Sequence, residues 1–352
     1  LVFSWAQDPT NPTGFQMSKY PILLPDGLPT NLQDSDIAFQ GVESLPTIVL
    51  DTNNNCLVDE TKQPQLFDAI HICALIKNIK QMWETVLRKK LVPRWANGPL
   101  KIIFDYAQPE ANAFYGPNQQ AIIFKWFPDI TTGEKIYTCR MFDVVSHEIM
   151  HFIIDCLHPQ WINSTQVETL AIHEGIADIN TLITLLNRHT MCEAIVWSCK
   201  GNLHVKTFFS DFSEQFGVGL LRKSDGLRNA DDTVSMLHIS QEPHDMSRVL
   251  VGVFYDVMSE FYEKEQKKGV VDANTKLSCT ELTTMLFHVG QHMKQLMAFA
   301  LLHAPEKDPK FSDIINLMIQ AETTPEKVDI IKKYATAADI LAPPTSIPAG
   351  VV

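Results

Sequence analysis

The sequence predicts an α+β fold of two lobes, a mixed α/β lobe followed by a mainly helical one. Three observations carry this. Short β-type apolar runs are confined to the first part of the chain, at residues 47–50, 100–106 and 121–127. From Met141 onward the apolar spacing is almost wholly helical. A length of 352 residues suits two lobes, at roughly 100–200 residues per domain.

The elements follow in order. Residues 1–45 are rich in Pro, Asn and Asp and have weak periodicity, which predicts an irregular surface arm. The α/β lobe occupies 46–157. It contains a helix over 64–91, with Ile70, Cys73, Ile76, Ile79, Met82 and Trp83 on one broad face. The turn Tyr115-Gly116-Pro117-Asn118 precedes the strand at 121–127. A helix over 143–157 closes this lobe. The helical lobe, 158–342, is expected to hold helices at 167–187, 246–267, 280–302, 311–320 and 325–337. A Pro-rich tail, 343–352, ends the chain.

Composition excludes several functions. There are 29 Lys and Arg against 41 Asp and Glu, a net charge of −12, which argues against a nucleic-acid partner. The longest candidate for a membrane span, 296–302, is far short of the roughly 18 apolar residues needed. Seven cysteines without a C-x-x-C pair are no disulfide framework. Buried free thiols are favoured over a small Cys192–Cys199 loop. The chain opens on Leu1 without a Met, as expected of a processed or trimmed form, and shows no basic-then-apolar leader.

The chemistry concentrates at His147-Glu148-Ile149-Met150-His151, an H-E-x-x-H within an apolar helix. Positions four apart on a helix return to within about 40° of one direction, so both imidazoles can meet one zinc ion. Glu148, about 100° away, can flank the metal and take a proton from water. A catalytic zinc needs a third protein ligand and an open position. Glu174, on the next helix and 23 residues beyond His151, can supply it. Asp178, one turn later, suits the free N–H of a ligand histidine. A merely solvated Glu174–Asp178 pair fits poorly with Leu170, Ile172, Ile176 and Ile179 around it. Asp155, four residues after His151, is a further candidate to brace a ligand and reads equally well as a helix-surface acid. The remaining histidines, His204 included, lack ligand spacing; only His288 and His292 stand at i,i+4, with no intervening Glu.

The run from Asp143 to His151, with Asp155 and then Glu174 to Asp178, resembles the thermolysin-like zinc metallopeptidases, the gluzincins. The likeness extends in register over roughly 47–340. It implies their two-lobed fold with the cleft between the lobes. Asn112 and Ala113 look like the family's edge strand that holds the substrate backbone, 51–57 like its preceding turn, and 68–86 like its long first helix. Arg228, in Leu227-Arg228-Asn229, looks like the Arg that contacts the substrate carbonyl; an ion pair with Asp225 or Asp231 is its alternative. His244, with Ser247 three residues on, looks like the transition-state-stabilising His, its alternative being a surface loop histidine.

Several residues depart from the pattern. The gap from His151 to Glu174 is three residues longer than usual, so the loop 157–165 absorbs an insertion. The loop Tyr that assists the oxyanion has no counterpart, with Trp161 nearby. His173 stands where Asn is normal, and Glu242 is the acid available to orient His244. A calcium pattern at Asp51, Asn53, Asn55 and Asp59 lacks its Gly.

The resemblance implies a zinc-dependent endopeptidase cutting beside an apolar residue, with a polypeptide substrate, a monomeric state and export from the cell. The alternatives are a gluzincin aminopeptidase, whose edge strand carries a Glu absent from Asn112-Ala113-Phe114-Tyr115, and a catalytically silent binding protein.

Overall fold

The computed structural model describes residues 2–4, 20–22, 36–40, 52, 56, 58, 62–95, 97–212, 228–270 and 276–343. The strand expected at 47–50, the calcium pattern on Asp51, Asn53, Asn55 and Asp59, and the tail beyond Pro343 lie outside them.

The N-terminal segment is not wholly irregular. β1 (Val2–Ser4) pairs antiparallel with β2 (Tyr20–Ile22). β3 (Ile37–Gln40) joins the main sheet, parallel to β4 (Leu100–Phe104). This strand lies before the boundary expected at residue 45 and shares its sheet with strands that follow it. Only Ile37 and Phe39 alternate inward, at 1% and 7% exposure. Two apolar residues among prolines and acids give too short a pattern to register as a strand.

The helix that follows, α1 (Pro64–Leu87), leads from β3 to β4. It ends four residues before the expected position. Arg88 turns left-handed at φ 51°, and the Glu84 carboxylate accepts the Leu91 N–H at 2.9 Å. The sheet has the order β3-β4-β6-β5, with β6 (Ala121–Phe124) parallel to β4 and β5 (Ala113–Gly116) antiparallel on the edge. The strand expected over 121–127 is broken at Lys125, after which β7 (Trp126–Pro128) pairs instead with β8 (Lys135–Tyr137).

Two buried helices form the centre, α2 (Phe142–Leu157) and α3 (Val167–Leu186). Asn180 ties them to α1. Its amide oxygen accepts from Trp83 Nε1 at 2.7 Å, and its Nδ2 donates to the Ser146 carbonyl at 2.7 Å. The next helix, α4 (His189–Cys199), was not expected from the sequence; it stops at Lys200 and Gly201, both at positive φ. A short pair, β9 (Asp211–Phe212) and β10 (Arg228–Asn229), precedes α5 (Pro243–Gly269). Gly175 lets α5 lie close on α3, because a Cβ there would stand 3.3 Å from the Ser247 carbonyl oxygen. α6 (Cys279–His303), α7 (Phe311–Ala321) and α8 (Pro325–Ala337) complete the helical part close to their expected bounds.

All seven cysteines are free, Cys192 and Cys199 included. No helix among the described residues is long and apolar enough to cross a membrane.

Candidate metal centre

α2 and α3 bring three donor side chains together. His147 Nε2 lies 2.9 Å from His151 Nε2 and 3.1 Å from Glu174 Oε2. His151 Nε2 lies 3.7 Å from Glu174 Oε1. One helical turn brings the two imidazoles edge to face, with centroids 4.5 Å apart, and the packing of α3 on α2 presents the carboxylate to both.

Each imidazole is also held from behind. His147 Nδ1 is 2.8 Å from Asp178 Oδ1, and Arg228 Nη2 reaches the same oxygen at 2.9 Å. Arg228 thus pairs with Asp178, and not with Asp231. His151 Nδ1 faces His173 Nδ1 at 2.6 Å, with the rings stacked at 4.6 Å. His173 is the residue whose role the sequence left unassigned. It sits one position before Glu174, and its use is visible only once the face of α3 turned toward α2 is known.

Asp155 is placed differently from the expectation. Its Oδ2 accepts from the Tyr115 hydroxyl at 2.7 Å and pairs with Arg94 Nε at 3.1 Å, while His173 takes the place beside His151. The correction is geometric: α2 turns Asp155 toward β5. Tyr115, whose hydroxyl the buried Asp155 holds, also donates its backbone N–H to Glu148 Oε2 at 2.8 Å.

A cleft of about 370 Å³ opens on this cluster. Asn112 and Ala113 line it from the sheet edge, with Phe114, Ile162 and Leu170 as apolar lining and His244 beside Glu174. Asn112 turns its Nδ2 to Glu110 Oε1 at 3.3 Å. In an antiparallel strand the N–H and C=O of alternate residues face the same side. Since the Tyr115 N–H points outward to Glu148, those of Ala113 face the open edge. His244 Nε2 stands 3.4 Å from Glu174 Oε2, and Glu242 Oε1 is 2.8 Å from His244 Nδ1. Trp161 is fully buried, stacked on His158 and donating to the Pro305 carbonyl, so it takes no part in the cleft.

The electrostatics follow from burial and neighbours. Burial pushes the Glu148 carboxyl up to about 8; His147 and the Tyr115 N–H pull it down, and Glu174 adds to the rise. Burial disfavours a charged His147, but Asp178 and Glu174 outweigh it and raise that imidazole to about 10. Burial also opposes ionisation of Glu174, yet His151, His147 and His244 hold it well below the usual carboxylate range. His147 and Glu174 therefore each favour an opposite charge beside them, while burial holds the His151 imidazole well below its usual range and so neutral.

A zinc ion fits this donor set. Four ligands at about 2.0–2.1 Å in a tetrahedron stand about 3.3 Å apart, and the 2.9, 3.1 and 3.7 Å separations here bracket that value. Asp178 accepts from His147 Nδ1, and a cation between His147 Nε2 and the Glu174 carboxylate would take the place of the proton those two atoms otherwise share, leaving the Nε2 lone pair as a ligand.

The architecture is similar to that of a metalloproteinase of known structure. A solved structure similar to it is the precursor of protealysin, a metalloproteinase from Serratia proteamaculans, at a TM-score of 0.52 and 12% identity over 87% of each chain. What is shared at that identity is the fold. No family model matches the chain, and no curated protein matches it in sequence.

Proposed function

We propose that this chain is a zinc-dependent endopeptidase that hydrolyses internal bonds of an extended polypeptide beside an apolar residue. The observation that carries it is the convergence of His147, His151 and Glu174 next to Glu148 in a cleft bordered by a sheet edge. His147, His151 and Glu174 would hold the zinc, which supplies the positive charge that acidifies water and polarises a carbonyl.

Glu148 is the general base. Tyr115 fixes its Oε2, leaving Oε1 to accept a proton from the attacking water and return it to the departing amine. Ala113 pairs with the substrate backbone as an added strand, with Asn112 beside it. His244, oriented by Glu242 on Nδ1, donates from Nε2 to the developing oxyanion when protonated. Arg228 steadies Asp178, and Asp178 steadies His147; by the family likeness Arg228 also meets the carbonyl on the leaving-group side. β5 (AFYG) has no acid to capture a free amine, which favours internal cleavage over an aminopeptidase. Phe114, Ile162 and Leu170 support the apolar preference.

The test is Glu148→Gln assayed on an end-blocked peptide library. The expected result is an unchanged zinc content and a fall in kcat/KM of about 10³-fold, within the range of general-base catalysis. Near-normal cleavage by this variant would overturn the assignment.

A further inference from the structure

We propose that His204, Asp231 and Asp256 form a second divalent-cation site, outside the cleft, suited to zinc or another first-row transition ion. His204 Nδ1 and Asp231 Oδ1 are 2.7 Å apart, and with a carboxylate oxygen of Asp256 the donor atoms lie within 4.8 Å of one another. The proposal stands whether or not the cleft is catalytic.

Three separate segments are brought together here, and the backbone of each is pinned. His204 donates its N–H to Asn202 Oδ1 at 3.0 Å. The residue before it, Leu203, gives its carbonyl to the Tyr255 hydroxyl at 2.7 Å. Tyr255 is the neighbour of Asp256 on α5, so the helix that carries one donor clamps the loop that carries another. Asp231 donates its N–H to Asn229 Oδ1 at 2.8 Å. On α5, Arg248, Gly252 and Asp256 stand one above the other at four-residue spacing. Arg248 Nη2 holds Asp232 Oδ2 at 2.8 Å. Gly252 admits the Asp232 carbonyl oxygen to where a Cβ would be 2.6 Å away. That contact lays the 231–232 backbone against α5 one turn before Asp256.

The charges leave room for a cation. The basic groups near this face are engaged elsewhere: Arg248 with Asp232, Lys206 with Asp211, and Lys333 with Glu260. The His204 imidazole is bonded to Asp231 alone, and among the described residues the half-buried Asp256 carboxylate has no hydrogen-bond partner, His204 and Lys333 acting on it only through their charge. A mixed nitrogen and oxygen donor set suits zinc, manganese or cobalt better than calcium or magnesium. Its solvent-facing side leaves water to complete the coordination. An ion there would tie α5, whose first turn carries His244, to the β9–β10 pair that carries Arg228.

The experiment uses the full chain with the cleft cluster disabled by His151→Ala, dialysed against chelator and then titrated with zinc and, separately, with cobalt. The expected result is one ion bound per chain, a zinc-dependent rise in Tm, and a cobalt absorption band. Adding Asp256→Asn, which keeps the side-chain shape, or His204→Ala should weaken that binding at least tenfold, with an unchanged circular-dichroism spectrum. Zinc uptake that is absent in His151→Ala, or unaltered by both added substitutions, overturns the proposal. Failure of the endopeptidase reading would show separately, in the wild-type cleavage assay.

Discussion

His147, His151 and Glu174 rise from two packed, buried helices, and each imidazole is held by a further side chain, Asp178 behind one and His173 behind the other. His204, Asp231 and Asp256 come from a loop, the turn after β10 and α5, with backbones fixed and side chains partly in solvent. The first arrangement sets donor directions before an ion arrives, and the second sets only where the donors begin. Pre-set donors impose a coordination geometry and keep a chosen position open. Donors pinned mainly through their backbones, with one side-chain contact between His204 and Asp231, would adapt to an ion, which suits holding parts together better than polarising a reactant.

The largest expected effect that tests this contrast is His147→Ala. Metal analysis should show the cleft ion gone and cleavage of a blocked peptide abolished, while an ion at His204, Asp231 and Asp256 remains. Loss of both ions together would mean that the two clusters are not independent. Next in size is Asp178→Asn. It removes the charge that orients His147 and pairs with Arg228, and should weaken zinc retention by about 10–100-fold in chelator competition, as for other partners that brace a ligand. Retention equal to wild type would show that the bracing carries little.

The smallest expected effect is at His173. His173→Leu removes the acceptor facing His151 Nδ1 and should speed zinc release about tenfold, near the lower end for such partners. His173→Asn, which restores an acceptor, should bring it back. Equal release from both variants would assign His173 to packing alone.

The first cluster was largely legible in the sequence because local rules generate it. The i,i+4 spacing of a helix pairs His147 with His151 and aligns Glu174 with Asp178, and apolar neighbours mark both helices as buried. The pairing of Glu242 with His244 was likewise within reach, two residues apart. Contacts between elements were not. The orientation of Asp155 toward Tyr115, the contact of His173 with His151, and the meeting of Arg228 with Asp178 depend on how α2, α3 and β10 pack. The second cluster shows the same limit more sharply: 27 residues separate His204 from Asp231, and no periodicity links them. β3 escaped notice for a different reason. A four-residue strand with two inward apolar side chains carries little pattern, and its pairing with β4 makes it a strand.

The hydrogen bond from the Tyr115 N–H to Glu148 closes one rung of the β5 edge to any incoming chain. A peptide laid along that edge could match Ala113 but would have to leave the ladder at the next outward-facing position, which Glu148 already occupies. On the proposed function, main chain would act as a ruler, fixing how far a guest is drawn in before it reaches the carboxylate. If the chain cleaves peptides as proposed, altering Phe114, Ile162 or Leu170 would change which sequences are accepted, while the distance from strand to cut would stay the same.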